Sequence, residues 1–192
     1  SQYHLGNMYG LGDGIPKNGK VALYWYTKAA EQGHAKAQFN LGNMHRLGKV
    51  IPQNSELAAY WFIKSAAQGH MVAQFNMGVA CADGEGASKN ISAALNWYNR
   101  AAEQGYAKAQ CQLGLMHKRG DGVLQSDEAA VIWFTKSAAQ ENASAQFNLG
   151  LMFDEGKGVI ENSKTAAHWY TLATQQGYAE AQLSLALMYE VG

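Results

Sequence analysis

The chain has 192 residues, 47% of them apolar, with 15 basic and 15 acidic side chains in balance. No basic tract could neutralise a row of phosphates and no apolar run reaches the roughly 18 residues that cross a bilayer, so neither a nucleic-acid partner nor membrane insertion is expected. The balance is uneven along the chain, because residues 1–69 hold seven lysines and arginines against three acids, net +4, which leaves −4 for the remainder.

Marker residues recur at a fixed interval of 36. Gln2, Gln38, Gln74, Gln110, Gln146 and Gln182 form one series, Trp25, Trp61, Trp97, Trp133 and Trp169 a second, and Gly6, Gly42, Gly78, Gly114 and Gly150 a third. A period between about 20 and 50 residues denotes stacked supersecondary units, none of which buries its apolar face alone. The units fall at about 1–33, 34–69, 70–105, 106–141, 142–177 and 178–192, and are read as one elongated domain. The chain starts and stops inside a unit, as expected of a piece of a longer array.

Within each unit the pattern predicts two helices. In the first, about Ala35 to Leu47, the residues Ala37, Leu41, Met44, His45 and Gly48 share one face. Gly12, Gly48, Gly84, Gly120 and Gly156 stand where that helix would end in a left-handed residue. A loop follows whose Asn18, Asn54, Asn90, Ser126 or Asn162 is suited to cap the next helix. The second helix, about Ser55 to Gln68, sets Ala58, Trp61, Phe62, Ser65 and Ala66 on one face. Gly33, Gly69, Gly105 and Gly177 close it, and where Glu141 stands instead, Asn142 is expected to take the left-handed turn. The Trp series is expected to fill the space between layers and hold the stack together. The Gln38 series, the same in every unit, is expected to bond backbone in the adjacent joint.

Paired helices carrying Leu41-Gly42 and His45 resemble the tetratricopeptide repeat, whose unit is about 34 residues long. The 36-residue spacing, the loop with GxG, then V, then x-x-N, and the AEQG ending at Glu31–Gly33 and Glu103–Gly105 are similar to the Sel1-like repeat. This resemblance covers the whole chain in about five repeats. It implies an all-α fold, a right-handed α/α superhelix (solenoid), in proteins that act as scaffolds and adaptors in bacterial envelope signalling, host interaction, immunity to secreted effectors and endoplasmic-reticulum quality control. Val50 in place of the second loop Gly, Ala80 in place of Met, and Leu172 and Thr174 in place of Lys and Ala depart from the pattern locally.

Some secreted bacterial relatives carry a disulfide in each repeat between the positions that are Ala30 and Gln38, or Ala66 and Gln74, here; this chain lacks those cysteines. Cys81 and Cys111 lie at first-helix positions six residues apart in the repeat, so their thiols are expected to diverge. No H-x-x-x-H or H-E-x-x-H occurs, and His45 and His117 sit two whole repeats apart, so no metal or other cofactor is expected and the histidines are read as aromatic substitutes in packing. No G-x-S-x-G and no phosphate loop with a following Lys is present, so the chain is not expected to be an enzyme.

Function is sought where the units differ. With Leu41 at 0° and about 100° per residue, the packed set lies within about 60° of it, whereas Phe39, Asn43, Arg46 and Leu47 fall between about 140° and 240°. In the resembling tetratricopeptide fold that side lines the concave groove. The candidate partner-binding residues are therefore Phe39, Asn43, Arg46, Phe75, Val79, Leu115, Lys118, Arg119, Phe147, Leu151, Asp154 and Leu187. The Leu115, Leu151 and Leu187 positions are expected to form an exposed apolar strip. The expected function is a noncatalytic protein-interaction scaffold, bacterial in setting and bearing on host interaction, virulence or envelope signalling, that binds a protein or peptide. An immunity or inhibitor protein for a secreted effector and a cell-wall or penicillin-binding enzyme are the alternatives.

Overall fold

The computed structural model describes residues 1–191, and among them eleven helices and no strand. In order these are α1 (Gln2–Leu11), α2 (Gly19–Glu31), α3 (Ala35–Leu47), α4 (Ser55–Ala67), α5 (Met71–Asp83), α6 (Ile91–Glu103), α7 (Ala107–Arg119), α8 (Asp127–Ala138), α9 (Ala143–Asp154), α10 (Ser163–Gln175) and α11 (Ala179–Val191). The chain divides into two compact units, Ser1–Arg100 and the residues from Ala101 on. In the first, α1 packs on α2, α2 on α3, α3 on α4 and α4 on α5. In the second, α7 packs on α8, α8 on α9, α9 on α10 and α10 on α11. The expected all-α architecture of stacked helix pairs is thus present in both.

Local chemistry sets the helix limits. The side chains of Asn18, Asn54, Asn90, Ser126 and Asn162 each accept a bond from the N–H three residues on, at 2.8–3.2 Å, satisfying a donor that the first helical turn leaves unpaired. The backbone N–H of each of these five residues returns to the carbonyl nine residues earlier, from Asn18 to Tyr9 and so on to Asn162 and Phe153, closing the joint. The second joint departs from expectation at one place. Glu141 itself adopts the left-handed conformation, at φ 60°, while Asn142 is extended and caps α9 by accepting from the Ala145 N–H. The backbone is dictated by the joint, and glutamate bears the cost of a position that glycine fills elsewhere.

The core is built differently from the expected Trp ladder. The residue that follows each Trp, namely Tyr26, Phe62, Tyr98, Phe134 and Tyr170, is the buried one, between 0% and 7% exposed, and its ring lies over the glycine of the preceding helix. A Cβ on Gly42 would stand 2.7 Å from the Phe62 ring, and one on Gly114 2.6 Å from Phe134. The tryptophans reach the preceding layer, as Trp61 does against the Tyr26 and Leu41 cluster and Trp169 against the Phe134 and Leu149 cluster, but only half-buried. Trp61 and Trp133 carry the Lys64 and Lys136 ammonium groups over their rings at 5.7 and 4.5 Å.

The glutamine series joins layer to layer as expected. Gln38, Gln74, Gln110 and Gln146 donate to the carbonyls of Ala30, Ala66, Ala102 and Ala138 at 3.1–3.4 Å. Gln68, Gln140 and Gln176 in turn donate to the Oε1 atoms of Gln38, Gln110 and Gln146 at 2.8 Å. Ser65 and Ser137, both fully buried, donate to Ala35 and Ala107 carbonyls at 2.8 and 2.7 Å. The amides of Gln38, Gln110 and Gln146 therefore both donate and accept, and losing a partner would strand a polar group at a cost of about 1–3 kcal/mol.

The ring over the glycine rather than the Trp should dominate stability. Phe134→Ala is expected to cost about 3–5 kcal/mol in urea unfolding, as large buried aromatics do, and Trp133→Ala well under half of that. Gly114→Ala is expected to cost about 1–3 kcal/mol by overpacking, with part of the loss recovered in combination with Phe134→Leu. Equal losses at Trp133 and Phe134 would return the Trp to the central role.

Candidate functional site

Where the ring of one helix fits over the glycine of another, the sides of the three helices around it leave a groove. Two such grooves are present in the first unit, and their linings correspond by a shift of 36 residues. The first, of about 470 Å³, lies among α1, α2 and α3, with Tyr26 and Ala22 at its base and Tyr3, Asn7, Asn40 and Leu47 around it. The second, of about 250 Å³, lies among α3, α4 and α5, with Phe62 and Ala58 at its base and Phe75, Asn76, Val79 and Arg46 around it. Arg46, Phe75 and Val79 are candidate binding residues from the sequence, and the structure brings them together.

The remaining candidates are placed as follows. Phe39 is half-buried, its ring 6.0 Å from Phe62 and stacked at 4.6 Å on His70, so it is an interlayer contact. Asn43, half-buried, accepts from Arg46 Nη2 at 3.5 Å. In the second unit, Phe147 sits between Tyr170 and Tyr178, with centroids at 5.9 and 5.2 Å. Leu115 and Leu151 are half-buried, packed against the clusters around Phe134 and Tyr170 respectively. Leu187 alone of the expected strip is exposed, at 51%. The position opposite the packed stripe of a first helix is therefore covered in part by its neighbours.

Charged and titratable groups of the second unit are tuned by burial and by their neighbours. Lys118 is half-buried; desolvation pushes its pKa below the ordinary lysine value, while Glu155 acts in the opposite sense. Arg119 is exposed. Asp154 accepts from the Tyr170 hydroxyl at 3.3 Å, and burial first and Asp154 second hold that phenol well above the ordinary range. Tyr98 is likewise pushed up to about 12, chiefly by burial. Both phenols thus stay protonated, and able to donate, at any physiological pH.

Two features escaped the sequence reading. Asn40, Asn76 and Asn148 occupy one helical position, with Asn40 and Asn76 lining the two grooves and Asn148 buried; their recurrence at 36 residues was the available signal. Val50 also has a counterpart. Elsewhere the second loop glycine presses on the backbone that opens the preceding second helix, Gly86 on Ser55 and Gly158 on Asp127. At Val50 the glycine has moved to the other side of the contact, because a Cβ on Gly19 would lie 2.7 Å from Val50 Cγ2.

The family model described as Sel1 repeat matches residues 1–34, 35–70, 72–106, 107–142, 143–178 and 179–192. The chain belongs to the Sel1 repeat family. Members of this family are typically protein-interaction scaffolds. Among solved structures, a Sel1 repeat protein from Oxalobacter formigenes is 37% identical, with a TM-score of 0.92 over 100% of this chain and 76% of its own. A protective antigen present in uropathogenic Escherichia coli strains, displaying an SLR fold, is 34% identical, also with a TM-score of 0.92 over 100% of this chain, which spans 41% of that protein's length. An immunity protein from Pseudomonas aeruginosa shares the fold at 24% identity and a TM-score of 0.57, over 91% of this chain and 67% of its own. No curated protein matches the chain.

In this Sel1 repeat protein two of the histidines expected to act only in packing, His34 and His70, serve the joints instead. Among the described residues no group of three or more His, Cys, Asp or Glu is placed to hold a metal, and no helix is long and apolar enough to cross a membrane. Cys81 and Cys111 are free and buried; burial raises both thiol pKa values, and the Cys111 thiol points to Ser144 Oγ at 3.7 Å. His34 and His70 accept through Nδ1 from the N–H groups of Ala37 and Ala73 at 3.3 and 3.2 Å, capping α3 and α5 as Asn142 caps α9. His45, a packing residue as expected, holds its Nδ1 buried without a partner.

Only the neutral imidazole can accept at Nδ1, so the His70 cap is pH-sensitive. Burial first, and the Lys36 charge second, lower the His70 pKa; burial lowers that of His45. A base whose pKa is lower folded than unfolded adds stability above its unfolded value of about 6.5 and loses it as pH falls toward the folded value. The melting temperature is therefore expected to drop between about pH 7.5 and pH 5. His70→Asn, which keeps the cap and removes the titration, should flatten that slope; an unchanged slope would exclude His70 as a contributor.

Proposed function

We propose that this chain is a noncatalytic scaffold that holds a segment of a partner protein along its grooves. The binding residues are Phe39, Asn43, Arg46, Phe75 and Val79 in the first unit and Leu115, Lys118, Arg119, Phe147, Leu151, Asp154 and Leu187 in the second. One observation carries the reading: the ring-on-glycine contact and the glutamine bonds repeat unchanged from layer to layer, whereas the groove walls change. Residues held constant maintain the stack, and residues that vary around an open, largely apolar groove are free to match a particular partner. The 37% and 34% identical neighbours are both bacterial and one is a protective antigen, which supports a bacterial setting in contact with a host.

The groove of Arg46, Phe75 and Val79 provides the test, because Arg46 is exposed and its change leaves the core untouched. Partner capture from extracts of the native source, with crosslinking, is expected to fall by about tenfold for Arg46→Glu combined with Val79→Asp. Arg46→Glu alone should weaken capture with the melting temperature unchanged, since exposed substitutions usually alter stability by less than about 0.5 kcal/mol. Capture unaffected by both variants would count against the grooves. Covalent labelling by a fluorescent penicillin, or turnover of peptidoglycan, would overturn the noncatalytic reading.

A further inference from the structure

We infer that the first groove, among α1, α2 and α3, is a site for an acidic peptide segment that carries one large apolar side chain. The inference rests on the reading that the grooves hold a protein segment, and it assigns the chemistry of that segment for one layer.

This groove differs from its equivalent one layer on in three coordinated ways. Gly10 stands where Arg46 projects into the next groove, so the space over the Tyr26 ring is open. Val50 contributes an apolar side chain to the lining where the repeat otherwise has glycine, and Gly19 makes room for it. Exposed Leu11 and Leu47 continue the apolar wall outward at the joint end of α1 and α3. The result is about 470 Å³ against about 250 Å³, enough to seat a Phe or Leu side chain and adjacent backbone.

The charged groups of the lining are all of one sign. Lys17 and Lys49 line the groove from the two joints, which touch through Val50 and Gly19, and no acid shares the lining with them. Among the described residues neither lysine is in an ion pair or side-chain hydrogen bond. In the next layer the charges are Arg46, at the Gly10 position and bonded to Asn43, and Glu85, at the Lys49 position, which accepts from Ser55 at 3.2 Å. In the second unit the residue equivalent to Lys49, Lys157, is paired with Glu155 at 2.8 Å. Within the first groove the Tyr26 hydroxyl donates to Asn7 Oδ1 at 2.9 Å, which occupies the amide's acceptor and leaves its NH₂ to donate. Two ammonium groups and an amide NH₂ beside an apolar cleft call for an apolar side chain with carboxylates next to it. The +4 charge of residues 1–69 favours the encounter with such a segment.

The test is fluorescence anisotropy with labelled pentapeptides and the full chain. A central Phe flanked by two Glu on each side is expected to bind, to weaken as ionic strength rises from about 0.05 M to about 0.3 M, and to bind at least about tenfold less well to Lys17→Ala/Lys49→Ala, the size expected for two lost charge-assisted contacts. The control Lys20→Ala/Lys28→Ala, at exposed lysines outside the groove, should leave affinity unchanged. Equal binding of the Glu-flanked peptide to wild type and to the groove variant overturns the proposal. So does equal binding of a version with a central Ser, or of single-stranded oligothymidylate. Preference for the Lys-flanked or an uncharged Phe peptide overturns the acidic assignment while leaving the groove reading intact. Absence of all peptide binding overturns it too, whereas the grooves along α3 to α5 are judged separately by the Arg46→Glu capture.

Discussion

Two helices approach only as closely as the bulkiest residues between them allow, and in this chain that distance is set by one contact per layer. A glycine on the first helix leaves bare backbone, and the ring of Tyr26, Phe62, Tyr98, Phe134 or Tyr170 lies directly against it. The glycine is there for its missing side chain, not for its backbone freedom, since it sits inside a regular helix where its intrinsic propensity is unfavourable by about 1 kcal/mol. Burial of the ring offsets that several times over. The groove follows from the same geometry, because seating the ring at the base leaves the flanking helix faces apart above it.

Polar bonding then fixes the direction and register that apolar packing leaves loose. A ring on a glycine could slide or rotate at small cost, but an amide from Gln38 that must meet the Ala30 carbonyl, and must itself be met by Gln68, allows one arrangement. Partners at constant offsets of 8 and 30 residues along the chain keep successive layers in the same register. The variable groove residues are held on this invariant frame, so on the proposed reading a change at Arg46, Val79 or Lys49 would alter recognition without disturbing the fold.

How much of this could be read from the sequence depends on the distance over which each feature is decided. Caps and helix ends are decided by a few neighbouring residues, and Asn54, Gly48 and their equivalents behave as their types require. Glu141 was misread because the joint, and not the residue, dictates the left-handed turn. Trp61 and Phe62 are adjacent and both fall on the apolar side of one helix, so a helical wheel cannot say which ring meets the glycine; that depends on the neighbour's position. The grooves were partly legible, since Arg46, Phe75 and Val79 do converge, but the cover over Leu115 and Leu151 comes from other helices and has no local signal. Val50 was visible as a departure, yet its compensation by Gly19, 31 residues earlier, required the two joints to be seen in contact.

The glutamine and serine bonds between layers also bear on how the chain finds its structure. The side-chain bonds described here link residues at most 33 apart, and each helix packs chiefly on its immediate neighbours in sequence. Loop-closure entropy for such contacts does not grow as layers are added, and low sequence separation accompanies fast folding. Assembly can thus begin at any well-packed pair and proceed outward in either direction, with each new pair docking on a template already formed. An array of this design can lengthen by whole layers over evolution without its search for the native state becoming slower.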